Sequence, residues 1–150
     1  MIAVDTNIQA YSVRADSSWH AQAREAIPGL AEGDKPWAIA WPCIHEFVGV
    51  VTHPGIYTPP TSLAAALLQV EYRGARPGIR FLGEGSGYWQ TFTAAARGSN
   101  IAGPVVDDAR VAAIYIAAGV REIRTRDRDF SRFPKIRIRN PLDSSPSPLR

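Results

Sequence analysis

The sequence predicts a single α/β domain with a mainly parallel sheet. Short apolar segments, typical of strands buried on both faces, alternate along the chain with longer segments of helical periodicity. The length of 150 residues suits one domain with a substantial core, and the hydrophobic content of 45% is ordinary for a globular protein. Right-handed crossovers would place the carboxyl ends of all parallel strands on one side of the sheet, where side chains from different segments can meet.

The first part of the chain contains two predicted strands with two helices between them. Ile2–Val4 is too short for a helix and has no alternating polar residues, so it predicts a buried strand. Helices are expected at 8–13 and 19–27, and the Pro28-Gly29 pair is expected to end the second of them. After a loop, Trp37–Ala40 predicts the second strand.

The middle of the chain predicts three helices around a third strand. Pro42 suits the first turn of a helix that runs from residue 41 to about residue 51. The apolar residues of segment 63–73 predict the next helix, and the run Ile79–Leu82 predicts the third strand. Segment 85–97 contains aromatic residues and alanines at helical spacing, so it predicts another helix.

The last part predicts one more helix and two strands. Segment 104–118 is apolar and helical in pattern, and Gly119 stands where glycine commonly follows the end of a helix. Glu122–Thr125 predicts the fourth strand. Segment 135–139 alternates charged and apolar residues, which is typical of an edge strand and discourages pairing with other chains.

Residues 1–142 are expected to form the domain, and 143–150 a flexible tail rich in proline and serine. The single cysteine, Cys43, excludes an intramolecular disulfide and argues against a cysteine-rich zinc site. A core position is expected for it and for the four tryptophans, Trp19, Trp37, Trp41 and Trp89. The sequence lacks a signal-peptide pattern and any apolar run of about 20 residues, so a cytoplasmic protein outside the membrane is expected.

The positive charge of the chain is concentrated near its carboxyl end. The net charge is +3, and the segment from Arg121 to Arg139 holds eight Lys and Arg residues against three acids. Such a segment suits a polyanion, for example a nucleic acid. The structural alternative is a solvated sheet edge.

Acidic residues occur in four separate segments that the α/β layout brings to the same end of the sheet. One follows the first strand and one interrupts the apolar face of the helix after the second strand. The others open the helix before the fourth strand or follow that strand. The acids are Asp5, Glu46, Asp107 and Asp108, and Asp127 and Asp129. Structural alternatives remain for each: a helix cap at Asp5 or Asp107, an arginine pair at Glu46, and turn residues at Asp127 and Asp129.

The convergence of these carboxylates would indicate a metal centre. Crowded carboxylates repel one another and raise each other's pKa, and a divalent cation removes that conflict. Ligation by oxygen without Cys or His selects hard ions such as Mg²⁺ or Mn²⁺. Such ions activate water and stabilise the leaving oxygen of a phosphodiester. An acidic metal pocket beside a basic segment therefore predicts a nuclease, with arginines holding the phosphate backbone.

Five motifs in a fixed order resemble those of the PIN-domain ribonucleases, and within them the VapC-type toxins of bacterial toxin–antitoxin pairs. The motifs are Val4-Asp5-Thr6-Asn7, His45-Glu46-Phe47, Val106–Arg110 followed by Ala112-Ala113, Thr125–Phe130, and Asn140-Pro141. The resemblance covers the chain from residue 1 to about residue 142.

The resemblance implies an acidic quartet that is both catalytic and metal-binding, with Mg²⁺ or Mn²⁺ as cofactor. The quartet is Asp5, Glu46, Asp108 and Asp127. The family's third acid directly precedes an alanine, which selects Asp108 over Asp107. Its fourth acid lies two residues after the threonine that ends the strand, which selects Asp127 over Asp129.

Further residues are expected to assist the quartet. The expected supporting residues are Thr6, Asn7, Thr125 and Asp129. The arginines expected to contact RNA are Arg110, Arg126 and Arg128.

The resemblance also implies the architecture and the partners. It implies a PIN-like three-layer fold, in which a five-stranded sheet of order 3-2-1-4-5 is flanked by helices. It implies a homodimer and a cognate antitoxin, encoded separately, whose carboxyl-terminal segment covers the active groove. The expected function is a metal-dependent endoribonuclease, the toxin of a type II toxin–antitoxin system.

Two alternatives are weighed against this function. One is a non-catalytic PIN-like module that binds RNA or an antitoxin but has lost turnover, and the complete acidic quartet argues against it. The other is a phosphatase of the haloacid-dehalogenase type, which also has an aspartate after its first strand. That chemistry needs a second aspartate two residues later, and position 7 is Asn7.

Overall fold

A computed structural model describes residues 1–31 and 35–143 of the chain. Most of the predicted tail, residues 144–150, lies outside the described residues. Within the described ranges, every helix is too short or too polar to span a bilayer.

One parallel sheet forms the centre of the fold. Its strands are β1 (Ile2–Val4), β2 (Trp37–Ala40), β3 (Ile79–Leu82), β4 (Glu122–Arg124) and β5 (Arg137–Arg139). They lie in the order β3-β2-β1-β4-β5, and every neighbouring pair is parallel. The predicted fold class and strand order are thus confirmed. Ala3 of β1 is in register with Ala38 of β2 and Ile123 of β4, so the carboxyl ends of the three central strands lie side by side.

Six α-helices in the described ranges connect the strands. They are α1 (Thr6–Val13), α2 (His20–Ala31), α3 (Trp41–Val51), α4 (Leu63–Gly74), α5 (Tyr88–Ser99) and α6 (Val105–Ala117). The helix α1 packs against α2 and α3, α3 packs against α4, and α5 packs against α6. With right-handed crossovers, α1 to α4 form a layer on one face of the sheet, and α5 and α6 form a layer on the other.

Three local features differ from the predictions. The helix α2 continues to Ala31, past the Pro28-Gly29 pair that was expected to end it. An interior proline weakens a helix but does not always end it. The helix α5 begins later than predicted, after Gly87, whose φ of 78° is left-handed. A short 3₁₀ helix at Arg128–Arg132, which no sequence pattern predicted, follows β4.

The buried Tyr115 of α6 connects the layer of α5 and α6 to the sheet. Its hydroxyl accepts a hydrogen bond from the backbone N–H of Ala40 at 2.9 Å and lies 3.3 Å from the carbonyl oxygen of Val4, to which it can donate. These two residues are the last of β2 and β1. Because Asp108 precedes Tyr115 by two helical turns on the same face of α6, this anchor also brings Asp108 over the ends of those strands.

Not all residues expected in the core are found there. Cys43 and Trp37 are buried as expected, and Trp19 is partly buried. Trp41 and Trp89, however, have 42% and 62% of their surface exposed. A sequence pattern reports that a residue is apolar but does not report whether another element of the same chain covers it.

Candidate metal centre

Asp5 lies at the end of β1, in the gap between the central strands and α1. The residue is only 7% exposed, and its carboxylate accepts hydrogen bonds from the N–H of Thr6 at 2.8 Å and from the hydroxyl of Thr125 at 2.7 Å. Burial raises the pKa of Asp5 to about 6, against the opposing effect of these hydrogen bonds. The charges of Glu46 and Asp127 raise it further, which shows that both carboxylates are close.

Thr125 and Asn7 join the segment after β4 to the start of α1. The hydroxyl of Thr125 accepts a hydrogen bond from the N–H of Asp127 at 2.9 Å while it donates to Asp5. The amide nitrogen of Asn7 lies 3.2 Å from the carboxylate of Asp5 and 3.2 Å from the hydroxyl of Thr125. The network fixes the position of the Asp127 backbone relative to the Asp5 carboxylate.

Glu46 reaches the same region from α3. The hydroxyl of Thr6 lies 2.9 Å from the Oε2 atom of Glu46, to which it can donate a hydrogen bond. Thr6 follows Asp5 directly, so this contact brings α3 to the amino-terminal end of α1. Glu46 is exposed, which leaves its carboxylate free to face a ligand in the groove.

Asp108, Asp127 and Asp129 form the tightest acidic cluster in the described residues. One carboxylate oxygen from each lies within 4.8 Å of the others. Burial and the charges of Asp127, Asp129, Asp5 and Glu46, in that order, raise the pKa of Asp108 to about 6. The structure therefore brings the four acids of the predicted quartet together, with Asp129 beside them.

The acids line a groove rather than a closed core site. A cavity of about 290 Å³ is bordered by all four acids of the predicted quartet, and Tyr11 and Tyr57 form part of its wall. A second cavity of about 500 Å³ continues on the side of α6, where it is bordered by His45, Asp107 and Arg110. Asp107, which the family pattern did not select, thus lies at the rim of the groove.

The three arginines expected to contact RNA lie in different electrostatic settings. Arg110 forms an ion pair with Glu84. The guanidinium of Arg126 stacks over the ring of Trp19, with 3.9 Å between its central carbon and the ring centroid. Arg128 is exposed to solvent.

The capping alternative is confirmed at Asp5, together with the clustering of acids, but it is wrong for Asp107, because Pro104 is the N-cap of α6 and no described side chain caps this helix. Asp5 is the N-cap of α1, and Asp127 caps the 3₁₀ helix by accepting a hydrogen bond from the N–H of Asp129 at 2.8 Å. The cap at Asp127 uses one carboxylate oxygen and leaves the other for a different partner. At Asp5 the cap uses Oδ1, and Oδ2 accepts hydrogen bonds from Thr125 and Asn7, so a cation would share these oxygens with their present donors. No arginine pairs with Glu46 among the ion pairs of the described residues, so the arginine alternative for Glu46 is wrong.

Sequence reasoning missed two residues beside the acids. The thiol sulfur of Cys43 lies 3.7 Å from the Oδ1 atom of Asp5. The spacing of three residues between Cys43 and Glu46 on α3 could have indicated this, because such residues share one helix face. Tyr11 borders the groove, but its spacing from Asn7 on α1 became informative only once the helix was known to start at Thr6.

The residues of the groove fit a hard divalent cation. The acids offer only oxygen donors, and at neutral pH their charges repel one another. The raised pKa values of Asp5 and Asp108 report this repulsion together with burial. Asp5, Glu46, Asp108 and Asp127 would hold such an ion, and Asp129 is placed to assist.

Comparisons with known proteins agree with the geometry. The chain is 33% identical to Ribonuclease VapC43 of Mycobacterium tuberculosis over 143 residues, which cover 95% of this chain and 97% of that protein. It is 29% identical to Ribonuclease VapC48 of the same species over 138 residues, which cover 92% of this chain and 95% of that protein.

A solved structure extends the comparison to the fold. The crystal structure of VapBC2 from Rickettsia felis, bound to a DNA fragment from its promoter, aligns with a TM-score of 0.69 at 16% identity. The alignment covers 93% of this chain and 98% of the matched chain. No family model matches the sequence.

Proposed function

The chain belongs to the VapC family of ribonucleases, and from that premise we propose that it is a metal-dependent endoribonuclease, the toxin of a type II toxin–antitoxin pair. The observation that supports this proposal most directly is the meeting of four carboxylates from four chain segments. The pKa of Asp108 is raised by the charges of Asp127, Asp129, Asp5 and Glu46, which lie after β4, directly after β1 and on α3. A purely structural role would not require this much mutual repulsion.

The proposed cofactor is Mg²⁺ or Mn²⁺, held by Asp5, Glu46, Asp108 and Asp127. When bound, the ion supplies Lewis-acid activation of water and stabilisation of the leaving oxygen of a phosphodiester. The chain itself contributes the orientation of the ligands. Thr125 and the N–H of Thr6 fix the Asp5 carboxylate, and the hydroxyl of Thr6 fixes Glu46.

The remaining protein groups are proposed to bind and orient the substrate. The groove is open to solvent on one side. A polymer that is cut within its length needs such an opening. The basic side chains beyond the acids would attract the phosphate backbone, and Asp127 borders both the acidic cavity and the cleft of these arginines. The aspartates would also exclude RNA phosphates from the acid cluster unless a cation neutralises them, so that metal and substrate are expected to bind together.

Cleavage of a mixed RNA pool by the purified chain tests this proposal. We expect cleavage with Mg²⁺ or Mn²⁺, none with an excess of chelator, and a loss of at least about 100-fold in Asp108→Asn. Circular dichroism of the variant serves as the folding control. Full cleavage in chelator, or by the folded variant, would refute a metal-dependent mechanism. RNA binding without cleavage at any metal concentration would instead indicate the non-catalytic module.

We also propose that the chain forms a homodimer and is neutralised by a cognate antitoxin. Family membership supports both partners, and the surface of α4 supports the dimer. Four large apolar side chains of this helix are more than 40% exposed: Leu63, Leu67, Leu68 and Tyr72. They are neighbours on two adjacent helical rows, and a contiguous exposed apolar patch is typical of a protein interface.

The oligomeric state can be measured by sedimentation equilibrium. We expect a dimer for the wild-type chain and a monomer of unchanged helix content for the double variant Leu67→Glu/Leu68→Glu. Ala21→Glu on the exposed side of α2 is the matched control and should remain dimeric. A wild-type monomer at micromolar concentration would contradict the dimer without bearing on the nuclease proposal.

A further inference from the structure

A polar cleft continues from the acidic groove on the side of β4 and β5. Its volume is about 540 Å³. The residues that border it are Asn7, Tyr11, Arg126, Asp127, Arg128, Asn140 and Asp143. The acidic cavity is also bordered by Asn7, Tyr11 and Asp127, so the two are continuous. A polymer that crosses the acids can therefore enter this cleft directly.

The cleft contains two guanidinium groups that form no ion pair among the described residues. Among the described residues, neither Arg126 nor Arg128 has a carboxylate within ion-pair distance. Two carboxylates border the same space, Asp127 and Asp143, and Asp127 belongs to the acidic cluster. The arginines are thus available to an added anion.

Arg126 is held in a defined orientation. Its guanidinium stacks over Trp19 at 3.9 Å, and Trp19 in turn packs against Tyr11 with 5.1 Å between the ring centroids. The backbone N–H of Arg126 donates to the Oδ1 atom of Asn7 at 3.4 Å. A guanidinium that stacks through its face keeps its N–H edge free, and a fixed orientation reduces the entropy lost on binding. Such an edge matches two oxygens of one phosphate group.

The opposite flank of the acids differs in charge. There the cavity beside α6 contains Arg110, whose charge is compensated by Glu84, and it is bordered by the additional acid Asp107. A phosphate on that side would meet an excess of carboxylates, whereas a phosphate on the side of Arg126 would meet two arginines and as many aspartates, with neither arginine held in an ion pair within the described ranges. The asymmetry distinguishes the two directions in which an RNA strand could leave the acids.

We infer that the cleft of Arg126 and Arg128 binds the RNA phosphodiester adjacent to the one that is cut, with Arg126 preoriented by Trp19. This inference rests on the proposed function. A cleft of this volume is large enough for one nucleotide unit, and its donors suit a phosphate rather than an apolar group. The Arg126 cleft would thus determine on which side of the scissile bond the protein binds the RNA.

Fluorescence anisotropy with a labelled single-stranded RNA of mixed sequence tests the inference. All variants are made in the Asp108→Asn background, so that the RNA stays intact. Arg126→Ala and Arg128→Ala should each weaken binding about tenfold and reduce the slope of log affinity against log salt by about one. Arg126→Lys, which keeps the charge but not the planar stack, should recover only part of the loss.

Arg97→Ala on the exposed end of α5 removes the same charge at a residue that borders neither the acidic cavities nor the cleft, and is the matched control. It should change the affinity less than twofold. Equal losses in Arg97→Ala and Arg126→Ala would indicate general charge attraction and would overturn the inference. A larger loss of affinity in Arg110→Ala than in Arg126→Ala would indicate that the RNA is bound on the side of α6. That result would also overturn the inference.

The two proposals can fail separately. If the wild-type chain cleaves RNA but Arg126→Ala and Arg128→Ala bind RNA as tightly as their Asp108→Asn parent, the cleft inference is wrong and the nuclease proposal stands. If the wild-type chain neither binds nor cleaves RNA, the proposed function is wrong, and the inference falls with it. Circular dichroism of each variant confirms that a loss does not arise from unfolding.

Discussion

Asp108 is half-buried among four other acidic side chains, and its pKa is raised to about 6 by burial and by their charges. At neutral pH the folded protein therefore carries a carboxylate that is less stable in its ionised form than it would be in the unfolded chain. In metal-free protein this costs free energy of folding. A site selected for binding a cation commonly reduces stability in this way.

Asp108→Asn is predicted to stabilise the metal-free protein at pH 7 by about 1 kcal/mol, after a reduction for solvent screening of this partly exposed group. The melting temperature should rise by about 2–4 °C for a chain of this length. The sign follows from linkage. Because the folded pKa lies above the unfolded one, the penalty is absent below about pH 4, grows as the pH rises through about 6, and is fully present at pH 7.

Thermal unfolding in chelator at pH 4 and pH 7 measures this effect. The variant should be more stable than the wild type at pH 7 and about as stable as the wild type at pH 4. Added Mn²⁺ should raise the melting temperature of the wild type more than that of Asp108→Asn. A variant that is less stable than the wild type at pH 7 in chelator would show that Asp108 makes a net favourable interaction in the folded state.

The identity of the clustered acids could be predicted from the sequence, but their hydrogen bonds could not. Position after a strand indicated Asp5 and the pair Asp127 and Asp129, and the apolar surroundings on α3 indicated Glu46. The family pattern then selected Asp127, and likewise Asp108 over its neighbour. The donor role of Thr125 toward Asp5 depends on side-chain rotamers and on the level ends of β1 and β4. Such details arise from the packed structure, which a linear pattern does not contain.

At the scale of the elements, α6 shows how a helix end is fixed by one residue. Gly119 follows the end of α6 with a φ of 79°, and its N–H donates to the carbonyl of Ile116 at 3.0 Å. The sequence predicted this position correctly, because glycine commonly adopts the left-handed conformation that closes a helix. The start of α5 was harder to predict, since several glycines precede it.

Gly119→Ala is predicted to destabilise the protein by about 1 kcal/mol, because alanine adopts a left-handed φ at a cost. Gly98→Ala is the matched control. Gly98 lies within α5, and a Cβ atom there would meet nothing within 4 Å. That substitution should be neutral or slightly stabilising, since alanine favours a helix more than glycine does. Urea unfolding of both variants measures the difference, and equal effects would contradict the assignment of Gly119 as the helix terminator.

The helix α4 is attached to the domain through a buried arginine. Arg73 is 3% exposed, and its guanidinium lies 3.2 Å from the carbonyl oxygen of Gln9 and 4.4 Å from the ring centroid of Phe47. Burial lowers the pKa of Arg73 to about 10. The apolar pattern of α4 did not predict this, because the leucines of the helix are exposed and the charged residue is inside.

Arg73→Ala is predicted to destabilise the protein by about 3 kcal/mol, through loss of the hydrogen bonds to α1 and of the contact with Phe47. Arg76→Ala is the control, since the guanidinium of Arg76 packs over the exposed ring of Tyr72 and should contribute less than about 1 kcal/mol. Urea unfolding measures both. If the two variants lose the same stability, the buried arginine does not anchor α4.

At the scale of the whole molecule, the alternation of strands and helices was enough to predict the parallel sheet. Short buried strands and right-handed crossovers leave few arrangements, and the family motifs then selected the strand order. The exposed positions of Trp41, Trp89 and the α4 leucines could not be predicted in the same way. An apolar residue type does not by itself show whether another element of the chain covers the side chain.

The charge of the molecule is divided between a negative groove and positive surroundings. The acids lie where β1, α3, α6 and the segment after β4 meet, and the arginines after β4 border the adjoining cleft. The excess of positive charge near the carboxyl end of the chain is thus brought next to the acids by the pairing of β4 with β1. A polyanionic substrate and a cation can be attracted to neighbouring parts of one surface.

The central claim is that four carboxylates from four segments form one divalent-cation site. Anomalous diffraction from a crystal soaked in millimolar Mn²⁺ tests it most directly. The account predicts an anomalous peak between Asp5 and Asp108, within ligand distance of their oxygens and of at least one further acid of the groove. The peak should vanish in Asp108→Asn. An empty groove, with Asp5 and Asp108 bound instead to protein cations or to each other, would contradict the claim.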